Sequence, residues 1–421
     1  MGILKNYIKE DMKLNKTRLK KYAKLIAKCG VNVKRGQEVV IYAELDQPEF
    51  VKMVFDECYK AGASKVSVEW SYQPITKSNI KYCSEKILSS LEEWQVQKWE
   101  HQADVLPCKI YLISEDPDGL SGIDQKKYAR VTAARSKIIK PIRNRMENKY
   151  QWCIAAVPGK AWAKKVFPDM TASRATERLW EAILDASRVT NDPILEWKRH
   201  NEDLKGRCDF LNGLKLKELR YRSENGTDLR VGLIPEARFE AGAEESLGSG
   251  AFFNPNIPSE EVFSSPKKGD ADGIVYASMP LSYGGQLIDN FWIKFEGGRA
   301  IEVGAETNEE MLREMISMDE GASYLGEVAL VPYSSPIRKS GLLYYNTLFD
   351  ENAACHLALG KGFSGVLEGY ENRTEDEAHE MGINDSVIHV DFMIGTEDLE
   401  IVGISECGKE IQIFKDGEWA F

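Results

Sequence analysis

The first half of the chain alternates between short β-rich runs and runs with helical spacing, and this alternation constrains the fold most. "GQEVVIYAEL" is typical of a buried strand, "QPEFVKMVFDECYKAGA" has helical spacing up to Gly62, and "SKVSVEW" is typical of a second strand. A strand, a helix and a strand in this order form a right-handed unit with the two strands parallel. "KIYLISEDP" and "WCIAAVPG" are predicted to be further buried strands. The sequence therefore predicts a parallel sheet covered by helices.

The pattern changes near residue 217, after a long helical region predicted from about Thr171 to Leu214. "LKELRYRSENGTDLRVGL" predicts a β-hairpin that turns at Asn225-Gly226, and glycine-rich short strands dominate from there on. A chain of 421 residues is long for a single core. We therefore predict two domains: an α/β N-terminal domain with a mostly parallel sheet at residues 1–205, and an α+β C-terminal domain at 206–421.

Composition excludes several classes of protein. A net charge of −11 argues against a groove for nucleic acid, which needs a basic surface. The longest apolar runs, such as Val328 to Pro332, are too short to span a membrane, and no signal peptide is evident. The eight cysteines form no C-x-x-C pair and are too sparse for a disulfide scaffold. We therefore expect a cytoplasmic protein that binds neither nucleic acid nor membrane.

The stretch "IHVDFMIG" combines a buried strand pattern with two polar side chains, His389 and Asp391. Side chains two residues apart on a strand point to the same face, so an imidazole and a carboxylate are predicted to lie side by side. A hydrogen-bonded core histidine is the commoner explanation for any single buried histidine. The pairing with a carboxylate favours a metal site.

The remaining four histidines divide into two groups. His101, His200 and His379 lie in charged surroundings, and we expect them on the solvated surface. His356 lies in "TLFDENAACHLALG", where Leu, Ala and Cys indicate burial. We predict a helix for this stretch, with Asp350 or Asn352 as its N-cap. A second buried histidine strengthens the case for a metal site.

Two acidic stretches supply candidate carboxylates. Glu327 interrupts the apolar run "YLGEVALVPY", where a lone charge is costly unless it is paired or bound to a cation. Glu260 and Glu261 lie in "NPNIPSEEVFSSP". Taken alone, the second stretch favours the first turn of a helix capped by Ser259.

Imidazoles and carboxylates together suit Zn²⁺, Co²⁺ or Mn²⁺ better than Ca²⁺, which prefers oxygen ligands. Two Glu, two His and one Asp are more ligands than a single catalytic zinc needs, because that ion keeps about three protein ligands and a water. The set fits two metal ions bridged by carboxylates. The chain contains no H-E-x-x-H motif, so the site is not of the zincin type.

Four stretches in this order, "EEVFSSP", "DEGASYLGEVALVP", "TLFDENAACHLALG" and "HVDFMIG", resemble the AmpS/PepS-type metallo-aminopeptidases, the thermophilic type of this enzyme. The resemblance covers most of the chain. It implies removal of N-terminal residues from short peptides by two divalent ions per chain, in a homodimer whose sites open into an enclosed space. The ligands it implies, in the C-terminal domain, are Glu261, Glu327, His356, His389 and Asp391, and Glu261 is preferred to Glu260 on spacing.

The chain departs from the family at Phe363, where the resemblance implies a tyrosine whose phenol acts on the metal or on the oxyanion. We therefore expect a metallo-aminopeptidase in which Glu327 or Glu261 carries protons between water and the leaving amine. A metal- or peptide-binding member of the family with weak or altered hydrolysis is the alternative, favoured only by Phe363. The ligands alone also fit another metal-dependent hydrolase, such as an amidase.

Overall fold

The computed structural model describes residues 16–421, so residues 1–15 of the predicted first domain lie outside the described range. The described helices are, in chain order, α1 Lys16–Leu25, α2 Pro48–Ala61, α3 Gln73–Tyr82, α4 Glu85–Ser89, α5 Glu93–Val105, α6 Gln125–Met146, α7 Lys160–Val166, α8 Ala172–Ala186, α9 Pro193–Gly213, α10 Glu309–Ile316, α11 Pro336–Lys339, α12 Thr347–Asp350 and α13 Glu375–Met381. The strands are β1 Glu38–Glu44, β2 Lys65–Ser71, β3 Cys108–Ile113, β4 Trp152–Ala156, β5 Leu216–Arg222, β6 Asp228–Leu233, β7 Glu244–Glu245, β8 Phe252–Phe253, β9 Asn256–Ile257, β10 Val262–Ser264, β11 Pro266–Tyr276, β12 Leu281–Tyr283, β13 Gln286–Glu296, β14 Arg299–Thr307, β15 Leu325–Leu330, β16 His356–Gly360, β17 His389–Met393, β18 Glu400–Ser405, β19 Glu410–Lys415 and β20 Glu418–Trp419.

The chain forms two compact units. One takes in the described residues up to Lys198 together with Ala243–Pro258, and the other comprises Arg199–Gly242 and Ser259–Phe421. The predicted division at residue 205 stays a prediction. No described helix is long and apolar enough to cross a membrane.

The first unit contains a five-stranded parallel sheet in the order β2-β1-β3-β4-β9. Its first strand–helix–strand unit is the predicted one. Helix α2 buries Phe50, Val51, Val54 and Cys58, and it ends at Gly62 with a left-handed φ of 113°. A residue with a Cβ is strained in that conformation, so glycine suits this helix end. The mixed α/β character with a parallel sheet is confirmed.

The second unit contains a nine-stranded sheet in the order β12-β13-β11-β6-β5-β18-β19-β20, with β14 paired to β13. The predicted hairpin is present: β5 and β6 pair antiparallel, with Arg222 opposite Asp228 next to the Asn225-Gly226 turn. Apolar residues of this sheet share one hydrophobic core with the inner strands of a smaller sheet. Val231 and Ile293 of the nine-stranded sheet are fully buried in this core, as are Val328 and Leu357 of the smaller sheet.

The smaller sheet is antiparallel, in the order β10-β15-β16-β17. All residues of β15 and β16 are buried. This corrects two predictions. His356 begins strand β16 and is not on a helix, because the apolar run is covered on both faces and paired on both edges. Glu260 and Glu261 lie just before β10 and not in a helical turn, because Val262 pairs with Leu330 of β15.

Candidate metal centre

The smaller sheet places the predicted ligands on one face. Glu327 of β15 lies opposite Ala358 of β16, which lies opposite Asp391 of β17. Directly opposed residues on neighbouring strands share a face, as do residues two apart on one strand. His356 is two residues from Ala358, and His389 is two residues from Asp391. The small side chain of Ala358 leaves space between the two carboxylates.

Glu261 reaches the same face from the edge strand. Phe263 of β10 lies opposite Ala329, which is two residues from Glu327. Glu261 is two residues before Phe263, so it continues the alternation onto the same face. The structure thus brings together all five side chains that the resemblance implied, although the ladder begins only at Val262.

The five side chains form two groups of three that share Glu327. One group is Glu261, Glu327 and His356, and the other is Glu327, His389 and Asp391; within each, the ligand-type atoms lie within 4.8 Å of one another. His356 Nε2 is 3.3 Å from Glu261 Oε2, and His389 Nε2 is 3.1 Å from Glu327 Oε2 and 3.2 Å from Asp391 Oδ1. A shared carboxylate between two three-ligand groups is the arrangement expected for two neighbouring cations.

Backbone carbonyl groups orient both imidazole rings. His356 Nδ1 is 3.1 Å from Ala354 O, and His389 Nδ1 is 2.6 Å from Lys361 O. A carbonyl oxygen only accepts, so each Nδ1 carries the hydrogen and donates it. Each Nε2 is therefore left to face the carboxylates as a potential ligand atom. Such a second contact is usual for histidines that bind metals.

The charges of the group fit a cation. Glu261, Glu327 and Asp391 are 8%, 4% and 7% exposed, and His356 is 1% exposed. Three carboxylates buried side by side repel one another and are costly to desolvate without compensating positive charge. Oxygen and imidazole ligands are those preferred by Zn²⁺, Co²⁺ or Mn²⁺. The residues present therefore fit a site for divalent cations.

The same crowding shifts the pKa values of the group. Burial, and then Asp391 and Glu261, raise the pKa of Glu327 to about 7, although the hydrogen bond with His389 opposes this. Burial disfavours the charged form of His356, but Glu261, Glu327 and Asp391 outweigh it and raise the pKa to about 9. The pKa of His389 rises to about 11 against the effect of burial, because of Asp391 and Glu327. Burial also opposes the charge of Asp391, yet His389 holds the pKa of this carboxyl below its usual range. The cluster thus retains positive charge on its histidines to balance its carboxylates.

A fourth carboxyl group of the cluster, that of Glu351, was not predicted. Burial, and then the nearby carboxylates Asp391, Glu261 and Glu327, raise its pKa well above the usual range, and it shares a hydrogen bond with Asp391. Glu351 lies in a short 3-10 turn before β16, next to Asn352, whose Nδ2 donates to Glu351 Oε1 at 3.3 Å. The only local signal was the acidic pair in "FDEN". That pair does not reveal which carboxylate turns toward the centre.

Phe363 lies beside the centre. The residue is 39% exposed. Its ring packs against the His389 ring with centroids 4.8 Å apart, and Phe263 packs edge-on against it at 5.6 Å. The position that the family resemblance assigns to a tyrosine is therefore adjacent to a predicted ligand. A tyrosine on the segment before β16, Tyr344, is buried, and its hydroxyl group donates to Ser340 Oγ at 3.3 Å.

The three histidines predicted at the surface are not all alike. His101 is half exposed, with 54% of its side chain accessible, whereas His379 is only partly exposed. His200 is half-buried, and its Nε2 is 2.7 Å from the carbonyl oxygen of Ser259, so the expectation of a solvated side chain is wrong for this residue. The contact joins α9 to the segment that carries Glu261.

The fold and the site define the class of protein. The family described as thermophilic metalloprotease (M29) matches residues 15–419. The chain belongs to this family, and the resemblance noted in its four motifs is confirmed.

Particular relatives extend the comparison over almost the whole chain. Aminopeptidase AmpS of Bacillus subtilis (strain 168) is 40% identical over 406 residues, which cover 96% of this chain and 98% of AmpS. Aminopeptidase T of Thermus aquaticus is 36% identical over 403 residues, or 95% of this chain and 98% of the relative. The solved structure of wild-type AmpT from Thermus thermophilus matches with a TM-score of 0.89 and 36% identity, covering 96% of this chain and 100% of that chain.

Proposed function

We propose that the protein is a metal-dependent aminopeptidase that removes N-terminal residues from short peptides. The observation that carries this proposal is the pair of ligand groups that share Glu327 on one sheet face. Membership of a metalloprotease family and similarity to proteins named aminopeptidases support it.

The proposed ligands are Glu261, Glu327, His356, His389 and Asp391, which would hold two divalent cations, Zn²⁺, Co²⁺ or Mn²⁺. Cations in such a site supply Lewis acidity, which polarises a peptide carbonyl and makes water a good nucleophile at neutral pH. The protein's part is to hold each ligand in place, as the backbone contacts of the two histidines do. The catalytic site then belongs to the predicted C-terminal domain, residues 206–421.

Proton transfer falls to a carboxylate of the centre. Glu327 or Glu261 would take a proton from the attacking water and deliver it to the leaving amine. Both lie on the sheet face where the peptide bond would have to bind. Selectivity for N-terminal residues requires that the free α-amine of the substrate be recognised, by a metal ion or by a carboxylate, and the acidic chain does not oppose a cationic N-terminus.

Several further properties are proposed on the family resemblance and on composition. They are a homodimeric assembly, a cytoplasmic location, and short peptides with a free N-terminus as the binding partners in place of nucleic acid or membrane. The net charge of −11 supports the exclusion of nucleic acid.

Phe363 favours one alternative, a metal- or peptide-binding family member with weak or altered hydrolysis. Its ring lies against His389 without the hydroxyl group that the family resemblance implies there. The relatives named aminopeptidases do not favour this alternative.

One assay separates the candidate functions. The protein reconstituted with Zn²⁺, Co²⁺ or Mn²⁺ is incubated with aminoacyl-nitroanilides and with their N-acetylated forms. We expect release of nitroaniline only from the free amines. Hydrolysis of both forms would indicate an amidase, and metal binding without hydrolysis of either would indicate a binding protein.

A further inference from the structure

The segment that carries Glu261 depends on side chains from elsewhere in the chain. Ser259, Glu260 and Glu261 lie outside any helix or strand, and the ladder of β10 begins at Val262. His200 holds the segment at the carbonyl oxygen of Ser259, at 2.7 Å. Asn352 holds it at the next residue, because its Oδ1 accepts a hydrogen bond of 2.6 Å from the N–H of Glu260. The position of the Glu261 carboxylate therefore depends on distant contacts.

Asn352 is completely buried, and both ends of its amide have partners. Besides the bond from Glu260, its Nδ2 donates to Leu348 O at 3.0 Å and to Glu351 Oε1 at 3.3 Å. A backbone N–H can only donate, so the atom that faces Glu260 must be the amide oxygen. The amide nitrogen then necessarily faces the carbonyl and the carboxylate. A buried amide satisfied in this way has one orientation only.

The two ends of this amide lead to opposite sides of the centre. Its oxygen fixes the backbone of Glu260. The next residue, Glu261, belongs to the ligand group of His356. Its nitrogen fixes Glu351, which shares a hydrogen bond with Asp391 of the other ligand group. The backbone at Asn352 is held as well, since Ser335 Oγ donates to its carbonyl oxygen at 2.7 Å. A single buried side chain thus connects the surroundings of both groups.

We propose that Asn352 is a positioning residue of the metal centre, setting Glu261 through the backbone of Glu260 and Asp391 through Glu351. The inference rests on the proposed metal centre. Asn352 acts through these neighbours and does not touch the reacting atoms. Residues that orient metal ligands from outside typically contribute about 10–100-fold in metal affinity.

The test is Zn²⁺ binding to the metal-free full chain, measured by isothermal titration calorimetry for Asn352→Ala. We expect the affinity for Zn²⁺ to fall by about 10–100-fold. Asn254→Ala is the matched control, because Asn254 is also buried, at 4% exposed, and its Nδ2 donates to Cys29 O. Both Asn254 and Cys29 belong to the unit that does not contain Asn352. The control should lose thermal stability without losing Zn²⁺ affinity. Equal Zn²⁺ affinity in wild type and Asn352→Ala would contradict the inference, whereas a wild-type protein that binds no Zn²⁺ would contradict the metal centre itself.

A nearly isosteric exchange guards against a variant that does not fold. Asn352→Leu keeps the size of the side chain and removes both the acceptor for Glu260 and the donor to Glu351, with no change of charge. We expect the affinity for Zn²⁺ to fall by about 10–100-fold in this variant too. A folded Asn352→Leu that binds Zn²⁺ as tightly as the wild type would show that these hydrogen bonds do not position the ligands.

Discussion

Restoring a phenol at position 363 should raise the rate of hydrolysis. Phe363→Tyr adds one hydroxyl group to a residue that is 39% exposed and whose ring packs 4.8 Å from the His389 ring, centroid to centroid. The backbone there is fixed, because the Phe363 N–H donates to the buried Ser265 Oγ at 2.8 Å. The ring should therefore keep its place, and its exposure means that the new hydroxyl need not lose its water on folding.

The size of the effect follows from the role of a single oxyanion donor, which is worth on the order of 10²–10³ in kcat, or about 2.7–4 kcal/mol. We expect kcat on the best aminoacyl-nitroanilide to rise toward that limit with little change in KM, because the contact forms mainly in the transition state. Phe263→Tyr is the control, since it adds the same group to the neighbouring ring that packs edge-on against Phe363. An unchanged or lower kcat for Phe363→Tyr at equal metal content, or an equal gain in the control, would refute this reasoning.

Three further predictions concern metal, substrate and stability. Because Glu327 belongs to both ligand groups and Glu261 to one, Glu327→Ala should weaken both metal sites and Glu261→Ala mainly one. Elemental analysis after reconstitution should give about two ions per wild-type chain. A count that never exceeds one ion per wild-type chain would contradict this prediction. N-acetylation of a good peptide should abolish its turnover in a chromatographic assay, and cleavage of the acetylated peptide at internal bonds would rule out an aminopeptidase. Burial, and then Arg143, lower the pKa of Lys109 to about 8, so between pH 8 and the unfolded value of about 10.4 the unfolded chain binds more protons and stability rises with pH. Relative to Lys109→Met, the wild type should gain roughly 2 kcal/mol of unfolding free energy between pH 7.5 and 10 in denaturant titrations, and a difference that does not vary with pH would contradict the assignment.

The parallel sheet could be predicted from the sequence because its signals are local. Strand alternation and helical spacing between Gly36 and Trp70 follow from backbone geometry alone, and Gly62 marks the helix end. The sequence predicts His389 and Asp391 on one face for the same reason, since alternation along a strand requires no knowledge of its neighbours.

The incorrect predictions concern segments whose conformation is set by tertiary contacts. The run from His356 to Gly360 is buried on both faces, and such a run has no periodicity that separates a strand from a helix. Ser259 and the two glutamates after it form a good helix start by themselves, but Val262 pairs with Leu330 and extends the chain. Glu351 turns toward Asp391 from a short 3-10 turn of three residues, too short to show a periodic pattern in the sequence.

The central claim is that five side chains on one sheet face hold two cations and share Glu327. Anomalous diffraction from crystals of the Zn²⁺-loaded protein, recorded on either side of the zinc absorption edge, tests it most directly. We predict two anomalous peaks, one bounded by Glu261, Glu327 and His356 and the other by Glu327, His389 and Asp391, with the Glu327 carboxylate contacting both. A single peak at full occupancy, or peaks away from these side chains, would contradict the claim.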